Sequence, residues 1–387
     1  MASLQPGIRV LKSFPAPESL RLPLDGRVPR KGLRRGRPVA QGEVLAEAAG
    51  PFQPDLAAPL PGSVFGLDGA FVALEVDFDS GAEPAAPASL RDLGPVEAAR
   101  ALRRMGISPP PAPPPGEPVV VSGFDPEPGI LLSAALWEDQ RPALEDGLRL
   151  MTHLFPGKPV LQALPRGLRP LESMESTPVT LKLRYPWTLP PLLKKRLLHK
   201  IGRAASRKRR ETLFDPAARG VADSRTLYLL GKAFRTGLAP SGAPLTLQGS
   251  PALVPPGMSP MDLLALVNHR PLAGDAVIIG GLMRGRSAAS LTDGLGPEAE
   301  AVSLLRRGGP ARSRREGPCS MCGRCRSACP LGLPVDLIGG SPRRLWPLLV
   351  RRLPQLAACP ACGLCSLTCP QNIPVSALLG AAGGARR

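Results

Sequence analysis

Two stretches near the C-terminus, CSMCGRCRSACP at residues 319–330 and CPACGLCSLTCP at residues 359–370, contain all eight cysteines of the 387-residue chain. Both have the pattern C-x2-C-x2-C-x3-C-P. The first three cysteines of such a run can surround three corners of an iron–sulphur cubane, whereas the departing chain carries the fourth toward a neighbouring cluster. The two runs therefore predict one structural unit with two 4Fe–4S clusters.

The spacing also predicts which cysteines share a cluster, because the fourth cysteine of each run is exchanged with the other run. The first predicted set is Cys319, Cys322, Cys325 and Cys369, and the second is Cys359, Cys362, Cys365 and Cys329. Pro330 and Pro370 have a fixed φ and lack an N–H, so they help to turn the chain away from each cluster. Gly323 and Gly363 would let the backbone approach inorganic sulphide closely.

The alternative metal is zinc, bound by two four-cysteine sites. Structural zinc sites are commonly closed by two C-x2-C pairs with a longer spacer, which differs from three consecutive cysteine steps followed by Cys-Pro. The histidines are scattered and are expected to be surface or packing residues: His153, His199 and His269. No isolated cysteine remains as a nucleophile, so we predict no catalytic residue.

The composition predicts several small domains built from short elements, since the chain has 50 prolines, 42 glycines and only 4% aromatic residues. A net charge of +18 predicts attraction to an acidic protein, a nucleic acid or an anionic lipid, although a biased composition would also produce it. Residues 192–210 are the most basic stretch, and we expect them to form a solvated helical face. We find neither a signal sequence nor about 18 consecutive apolar residues, so we expect a cytoplasmic protein.

The segments before the cysteines alternate in type. Residues 22–78 read as short strands and glycine turns, similar to the half-barrels of lipoyl domains. The run VVVSGFDPEPG at residues 119–129, followed by helical periodicity over residues 143–155, indicates an α/β layer. Residues 244–285 alternate strand-like runs with glycine turns around a helical stretch, which suggests a β-grasp domain. Residues 330–358, between the cysteine runs, predict short helices.

With these segments in order, residues 20 to 380 resemble the C subunit of the Rnf (Rsx) electron-transport complex. The resemblance rests on both cysteine runs and on GSPALVPPGMSPMDLLALV, with AVIIGGLMRG after it. It implies a multidomain α+β fold of four domains. These are an N-terminal half-barrel (barrel-sandwich-like) β domain at 20–80, a degenerate α/β domain of the complex I flavoprotein type at 88–240, a soluble-ligand-binding β-grasp (SLBB) domain at 241–308, and a helical ferredoxin-like domain with two clusters at 312–380.

The resemblance implies a peripheral subunit that moves electrons between ferredoxin and NADH, coupled to ion transport. In that family the central domain binds FMN and NADH, and Gly123 and Glu127 correspond to its flavin turn. The glycine-rich loop expected just upstream is missing, and GISPPPAPPPGEP at residues 106–118 stands in its place. Proline offers no N–H to a phosphate. We therefore predict that the clusters are kept and that FMN and NADH binding is lost or severely weakened.

The predicted function is non-catalytic electron transfer in an Rnf-type, ion-translocating complex on the cytoplasmic face of the inner membrane. Expected partners are its membrane and iron–sulphur subunits and an acidic ferredoxin or flavodoxin, docking on Arg343, Arg344, Arg351 and Arg352; no nucleic acid is expected. One alternative is an NADH-oxidising flavoprotein subunit with an atypical nucleotide loop. The other is a basic zinc protein bound to nucleic acid.

Overall fold

The computed structural model describes residues 11–50, 53–83, 86–202, 215–307, 316–377 and 379. This part of the chain has a multidomain α/β architecture with four sheets and short helices. Its longest helix has 14 residues, in keeping with the high content of proline and glycine.

The N-terminal strands form two small antiparallel sheets. Their bounds are β1 Lys12–Ser13, β2 Ser19–Pro23, β3 Val28–Pro29, β4 Pro38–Val39, β5 Val44–Glu47, β6 Leu56–Ala57, β7 Gly62–Leu67 and β8 Phe71–Val76. One sheet has the order β2-β8-β7-β4 and the other β3-β5-β6, while β1 belongs elsewhere. Alternate residues such as Leu20, Leu22 and Leu74 point inward and are fully buried.

The central region is a parallel sheet with helices. Its elements are α1 Pro95–Arg104, β9 Val119–Ser122, α2 Ser133–Asp139, α3 Arg141–Leu154, β10 Val160–Pro165, β11 Ser176–Leu181, α4 Pro190–Lys200, β12 Val221–Asp223 and α5 Ser224–Thr236. The strand order is β11-β10-β9-β12, and every pair is parallel. All four residues of β9 are buried, as expected for an inner strand covered on both faces.

Helices α3 and α5 cross backbone to backbone at two glycines. A Cβ on Gly231 would lie 1.7 Å from the carbonyl oxygen of Ala143, and one on Gly147 would lie 2.1 Å from that of Leu227. No other residue type permits this approach. The close crossing brings Tyr228 of α5 into the main core of the central region, where it is 1% exposed.

A six-stranded mixed sheet follows. Its elements are β13 Ala243–Leu247, β14 Ser250–Val254, α6 Pro260–Ala265, β15 Ala276–Ile279, β16 Arg286–Ser287 and β17 Ala301–Leu305. The strand order is β1-β14-β13-β17-β15-β16. Strand β1 pairs in parallel with β14, although Lys12–Ser13 lies outside the range 241–308 that the sequence predicts for this unit. The apolar face of the sheet shares one continuous core with the N-terminal sheets.

The C-terminal region is helical. Its elements are α7 Arg324–Ser327, α8 Asp336–Gly339, a 3-10 turn Arg343–Leu345, α9 Trp346–Arg352, a second 3-10 turn Pro354–Ala358 and α10 Leu364–Leu367. Its small core gathers Val335, Ile338 and Val375, and cysteines from both runs pack at its edge. Within the described residues, no helix is both long enough and apolar enough to cross a membrane.

Candidate metal centre

The two cysteine runs adopt the same backbone conformation. Met321 and Ala361 occupy equivalent places at φ 57° and 52°, and they are followed by Gly323 and Gly363 at φ 70° and 76°. Helices α7 and α10 begin directly after these glycines, so the third cysteine of each run lies on a helix. Consecutive residues at positive and negative φ turn backbone N–H groups toward one concavity, which suits a negatively charged group.

Backbone N–H groups donate to cysteine sulphur in this region. The N–H of Met321 donates to Sγ of Cys319 at 3.4 Å, and the N–H of Leu333 donates to Sγ of Cys329 at 3.4 Å. The backbone N–H of Arg324 lowers the pKa of Cys322 in the same way. Such bonds favour the thiolate, which is the form that binds metal.

The first group of cysteines surrounds a cavity of about 150 Å³. Its sulphur-bearing lining comes from both runs: Cys319, Cys322, Cys325, Met321 and Cys369. Gly340 of the segment between the runs closes one side, since a Cβ there would lie 4.0 Å from Sγ of Cys319. Cys369, the last cysteine of the second run, thus lies on the same cavity as three cysteines of the first run.

The first three cysteines of the second run are more buried, and Cys329 of the first run lies near them. Burial raises the pKa of Cys359 and Cys362, and the negative charge of the nearby Cys329 raises both further. Burial and then the charges of Cys359, Cys362 and Cys329 raise the pKa of Cys365 to about 12. The charge of Cys329 therefore acts on all three of these cysteines of the other run.

The donor set consists of cysteine thiolates. Among the residues that the structure describes, no three cysteine, histidine or acidic side chains meet closely enough to hold one metal ion. The first cysteine set instead lines a cavity, and soft thiolate donors favour iron–sulphur clusters as well as zinc. His153 and His269 bond to the carbonyl oxygens of Leu93 and Val267.

The two cysteine groups differ in exposure. Cys322 is exposed and Met321 beside it is 80% exposed, whereas Cys362 and Cys365 are each 6% exposed. The difference arises because the second run packs against the body of the protein. The first group is therefore open to solvent at Cys322, whereas Cys362 and Cys365 of the second are enclosed.

Three segments enclose the second run. Cys362 packs with the buried Leu189 and Leu192, and the hydroxyl of Tyr185 donates to the carbonyl oxygen of Cys362. Burial raises the pKa of Tyr185. A Cβ on Gly363 would lie 2.6 Å from the carbonyl oxygen of Met283, so the loop between β15 and β16 touches this run.

Glu127 holds that loop. It is 5% exposed, and its Oε2 accepts the backbone N–H groups of Met283 at 3.1 Å and Arg284 at 2.9 Å. Burial raises the pKa of Glu127, while the positive charge of Arg284 acts in the opposite direction. The carboxylate therefore ties the turn after β9 to the loop that contacts the second cysteine run.

Gly123, the other residue of that turn singled out by the sequence, is covered by apolar side chains. A Cβ there would lie 2.6 Å from Cδ2 of Leu168, 3.2 Å from Cδ2 of Leu164 and 3.4 Å from Trp137. Trp137 is fixed by its Nε1, which donates to Oγ of Ser224 at 2.9 Å. Leucine and tryptophan side chains fill the space over this glycine.

The proline-rich segment packs against the start of β12. The carbonyl oxygen of Pro111 accepts the N–H of Gly220 at 2.7 Å, and Nζ of Lys194 lies 2.7 Å from Oε2 of Glu117. Lys194 also donates to the carbonyl oxygen of Arg219 at 2.5 Å. The expectation of a solvated basic face over 192–210 is wrong at Lys194, which is 1% exposed because it pairs with Glu117; residues 203–210 lie outside the described residues.

Comparison with known proteins gives weak structural likenesses. No family model and no curated protein matches the chain. A crystal structure of NAD+-reducing [NiFe]-hydrogenase in the H2-reduced state has 15% identity and a TM-score of 0.44, over 78% of this chain and 62% of that one. A structure of NAD+-reducing [NiFe]-hydrogenase in the air-oxidized state has 14% identity and a TM-score of 0.32, over 62% and 48% of the two chains. The chain spans less than two thirds of either neighbour.

Proposed function

We propose that this protein is an electron-transfer subunit that binds two 4Fe–4S clusters and relays electrons one at a time. The observation that carries the proposal is the position of the fourth cysteine of each run near the other run. Cys369 lines a cavity with the first three cysteines of the other run, and Cys329 lies beside the first three of the second. An exchange of fourth cysteines is the ligand pattern of proteins with two linked clusters.

The chain's own residues would bind the two clusters, stabilise the charge on their sulphur ligands and keep water away from one of them. Eight thiolates supply the ligands, and when bound the clusters supply one-electron chemistry. Backbone N–H groups such as that of Met321 stabilise charge on sulphur. Leu189 and Leu192 exclude water from the second site.

The proposed domain organisation has the four units named from the sequence, at 20–80, 88–240, 241–308 and 312–380. Support comes from the two small N-terminal sheets, the parallel central sheet, the six-stranded mixed sheet and the helical C-terminal region. Strand β1 adds residues 12–13 to the third unit.

The proposal includes loss or severe weakening of FMN and NADH binding. Three observations support it: the proline segment is packed on Gly220, aliphatic and aromatic side chains cover Gly123, and Glu127 Oε2 accepts two backbone N–H groups. A flavin ring or phosphate at this turn would have to displace these contacts. Electrons would then enter and leave through protein partners.

The proposed setting is an Rnf-type, ion-translocating complex, with the protein peripheral on the cytoplasmic face of the inner membrane. The proposed partners are the membrane and iron–sulphur subunits of that complex and an acidic ferredoxin or flavodoxin. The arginine-rich C-terminal region supports an acidic partner, since residues 316–377 contain six arginines but only Glu316 and Asp336 as acids.

The direct test is anaerobic purification followed by analysis of iron, acid-labile sulphide and acid-released flavin. We expect about eight iron atoms per chain, broad absorbance near about 400 nm and no stoichiometric FMN. A colourless protein with bound zinc would refute the cluster assignment. Stoichiometric FMN, with clusters that NADH reduces without another enzyme, would instead support the NADH-oxidising alternative.

A further inference from the structure

Apolar side chains are exposed beside the first cysteine group and at the neighbouring helix α9. Besides Met321, they are Leu337, Leu345 and Leu348, each 40 to 45% exposed. Met321 and Leu337 line the cavity formed by the first group, and a Cβ on Gly340 would lie 3.1 Å from Sδ of Met321. Trp346 ties α9 to this face, because its Nε1 donates to the carbonyl oxygen of Ser341 at 2.9 Å.

Arginines accompany these apolar residues. The exposed ones are Arg324, Arg326, Arg344, Arg351 and Arg352. Residues 316–377 hold two acids, Glu316 and Asp336, and the carboxylate of Asp336 is engaged by Arg326 at 3.4 Å. This surface therefore combines exposed apolar side chains with an excess of positive charge, the two features of an interface with an apolar core and a polar rim.

A partner protein cannot approach the second cysteine group in the same way. Cys362 and Cys365 are buried behind Tyr185, Met283 and the leucines of α4. A diffusing protein could therefore contact Cys322 of the first group directly, whereas the body of the chain covers Cys362 and Cys365 of the second.

We propose that the cluster-1 face, defined here as Met321, Leu337, Leu345 and Leu348 with the five exposed arginines, is the docking site of an acidic redox protein. This inference rests on the proposed function and adds the port by which electrons enter. One electron leaves the reduced partner, which is oxidised, and is accepted at the group held by Cys319, Cys322, Cys325 and Cys369, which is reduced; no bond is made and no proton is required. Charge complementarity selects an acidic partner over a neutral or basic one.

The test compares two triple variants of equal charge change, after iron analysis has shown that both hold their clusters. One carries Arg344→Glu, Arg351→Glu and Arg352→Glu on the cluster-1 face. The matched control carries Lys31→Glu, Arg34→Glu and Arg35→Glu, three exposed residues of the connection between β3 and β4. The probe is an acidic plant-type ferredoxin, reduced beforehand and mixed anaerobically in a stopped-flow instrument.

We expect the ferredoxin to reduce the face variant about ten-fold more slowly than the unsubstituted protein at low salt, with the difference shrinking as salt screens the charges. The control should keep the original rate, and reduced methyl viologen, a cation, should reduce the face variant at least as fast as the unsubstituted protein. Equal ferredoxin rates in both triple variants would overturn the docking site. So would lost binding of the face variant to phosphatidylglycerol vesicles at an unchanged ferredoxin rate, which would assign the face to a membrane. A protein without iron would instead overturn the proposed function itself.

Discussion

The carboxylate of Glu127 accepts the backbone N–H of Arg284 at 2.9 Å, although the two residues lie 157 positions apart. The same oxygen accepts the N–H of Met283. The carbonyl oxygen of Met283 in turn packs against Gly363 of the second cysteine run, where a Cβ would lie 2.6 Å from it. A residue that the family resemblance assigns to a flavin turn is therefore a tie between the central sheet, the six-stranded sheet and the candidate metal centre.

Replacing Glu127 by alanine should loosen this tie. Two buried N–H groups lose their acceptor, so we expect the free energy of unfolding to fall by about 2–3 kcal/mol. The loop around Met283 should then release the second run, and half of the iron should be lost faster to a chelator. Urea unfolding and chelator kinetics measure the two effects.

Glu127→Gln is the matched control, because its amide oxygen can still accept both N–H groups. It should stay within about 1 kcal/mol of the unsubstituted protein and keep its iron. Equal iron loss in both variants would mean that the negative charge matters and the hydrogen bonds do not.

Local spacing predicted much of the site. The pattern of each cysteine run determines its loop and short helix, whereas the exchange of Cys329 and Cys369 between the two clusters stays a prediction of that spacing. Likewise, the β-branched run predicted strand β9 and the helical periodicity predicted helix α3, because each pattern depends only on residues that are close in sequence.

Contacts between distant segments could not be predicted in this way. Lys12–Ser13 pairs with β14 across most of the chain, and nothing in a two-residue strand specifies its partner. In the sequence nothing distinguishes Lys194 from its basic neighbours, because only the fold brings Glu117 beside it. The contact of Tyr185 with Cys362 likewise depends on packing between domains, which periodicity does not encode.

The ion pair of Lys194 and Glu117 gives a second prediction. The two side chains are 2% and 13% exposed, and Glu117 Oε2 has no aligned hydrogen bond among the described residues apart from this charged contact. Lys194→Met should therefore leave the buried carboxylate of Glu117 without its positive partner and lower the free energy of unfolding by about 3–5 kcal/mol. The double variant Lys194→Met with Glu117→Gln should regain most of that loss in urea unfolding. Additive losses would show that the two side chains act independently.

Glu300 gives a prediction for pH. Burial, followed by the negative charge of Asp223, raises the pKa of Glu300 from 4.5 to about 7. A carboxyl group with a higher pKa in the folded state binds its proton more tightly there, so its stabilising effect is present below pH 4.5 and is lost as the pH rises to about 7. At pH 8, Glu300→Gln should be more stable than the unsubstituted protein by on the order of 1–3 kcal/mol, and the gain should vanish near pH 4.5. A constant difference between the two unfolding curves across this range would contradict the shifted pKa.

The exchange of cysteines can be tested by pairing substitutions. Cys369→Ala should lose one cluster and reduce the iron from about eight to about four atoms per chain. If Cys369 and Cys322 serve the same cluster, the double variant Cys322→Ala with Cys369→Ala should still hold about four, because the second loss falls on a cluster already gone. Cys362→Ala with Cys369→Ala should instead lose nearly all iron, since each substitution removes a different cluster. Should each run keep its own fourth cysteine, the two double variants would exchange these results, so anaerobic iron analysis distinguishes the exchanged arrangement from the simpler one.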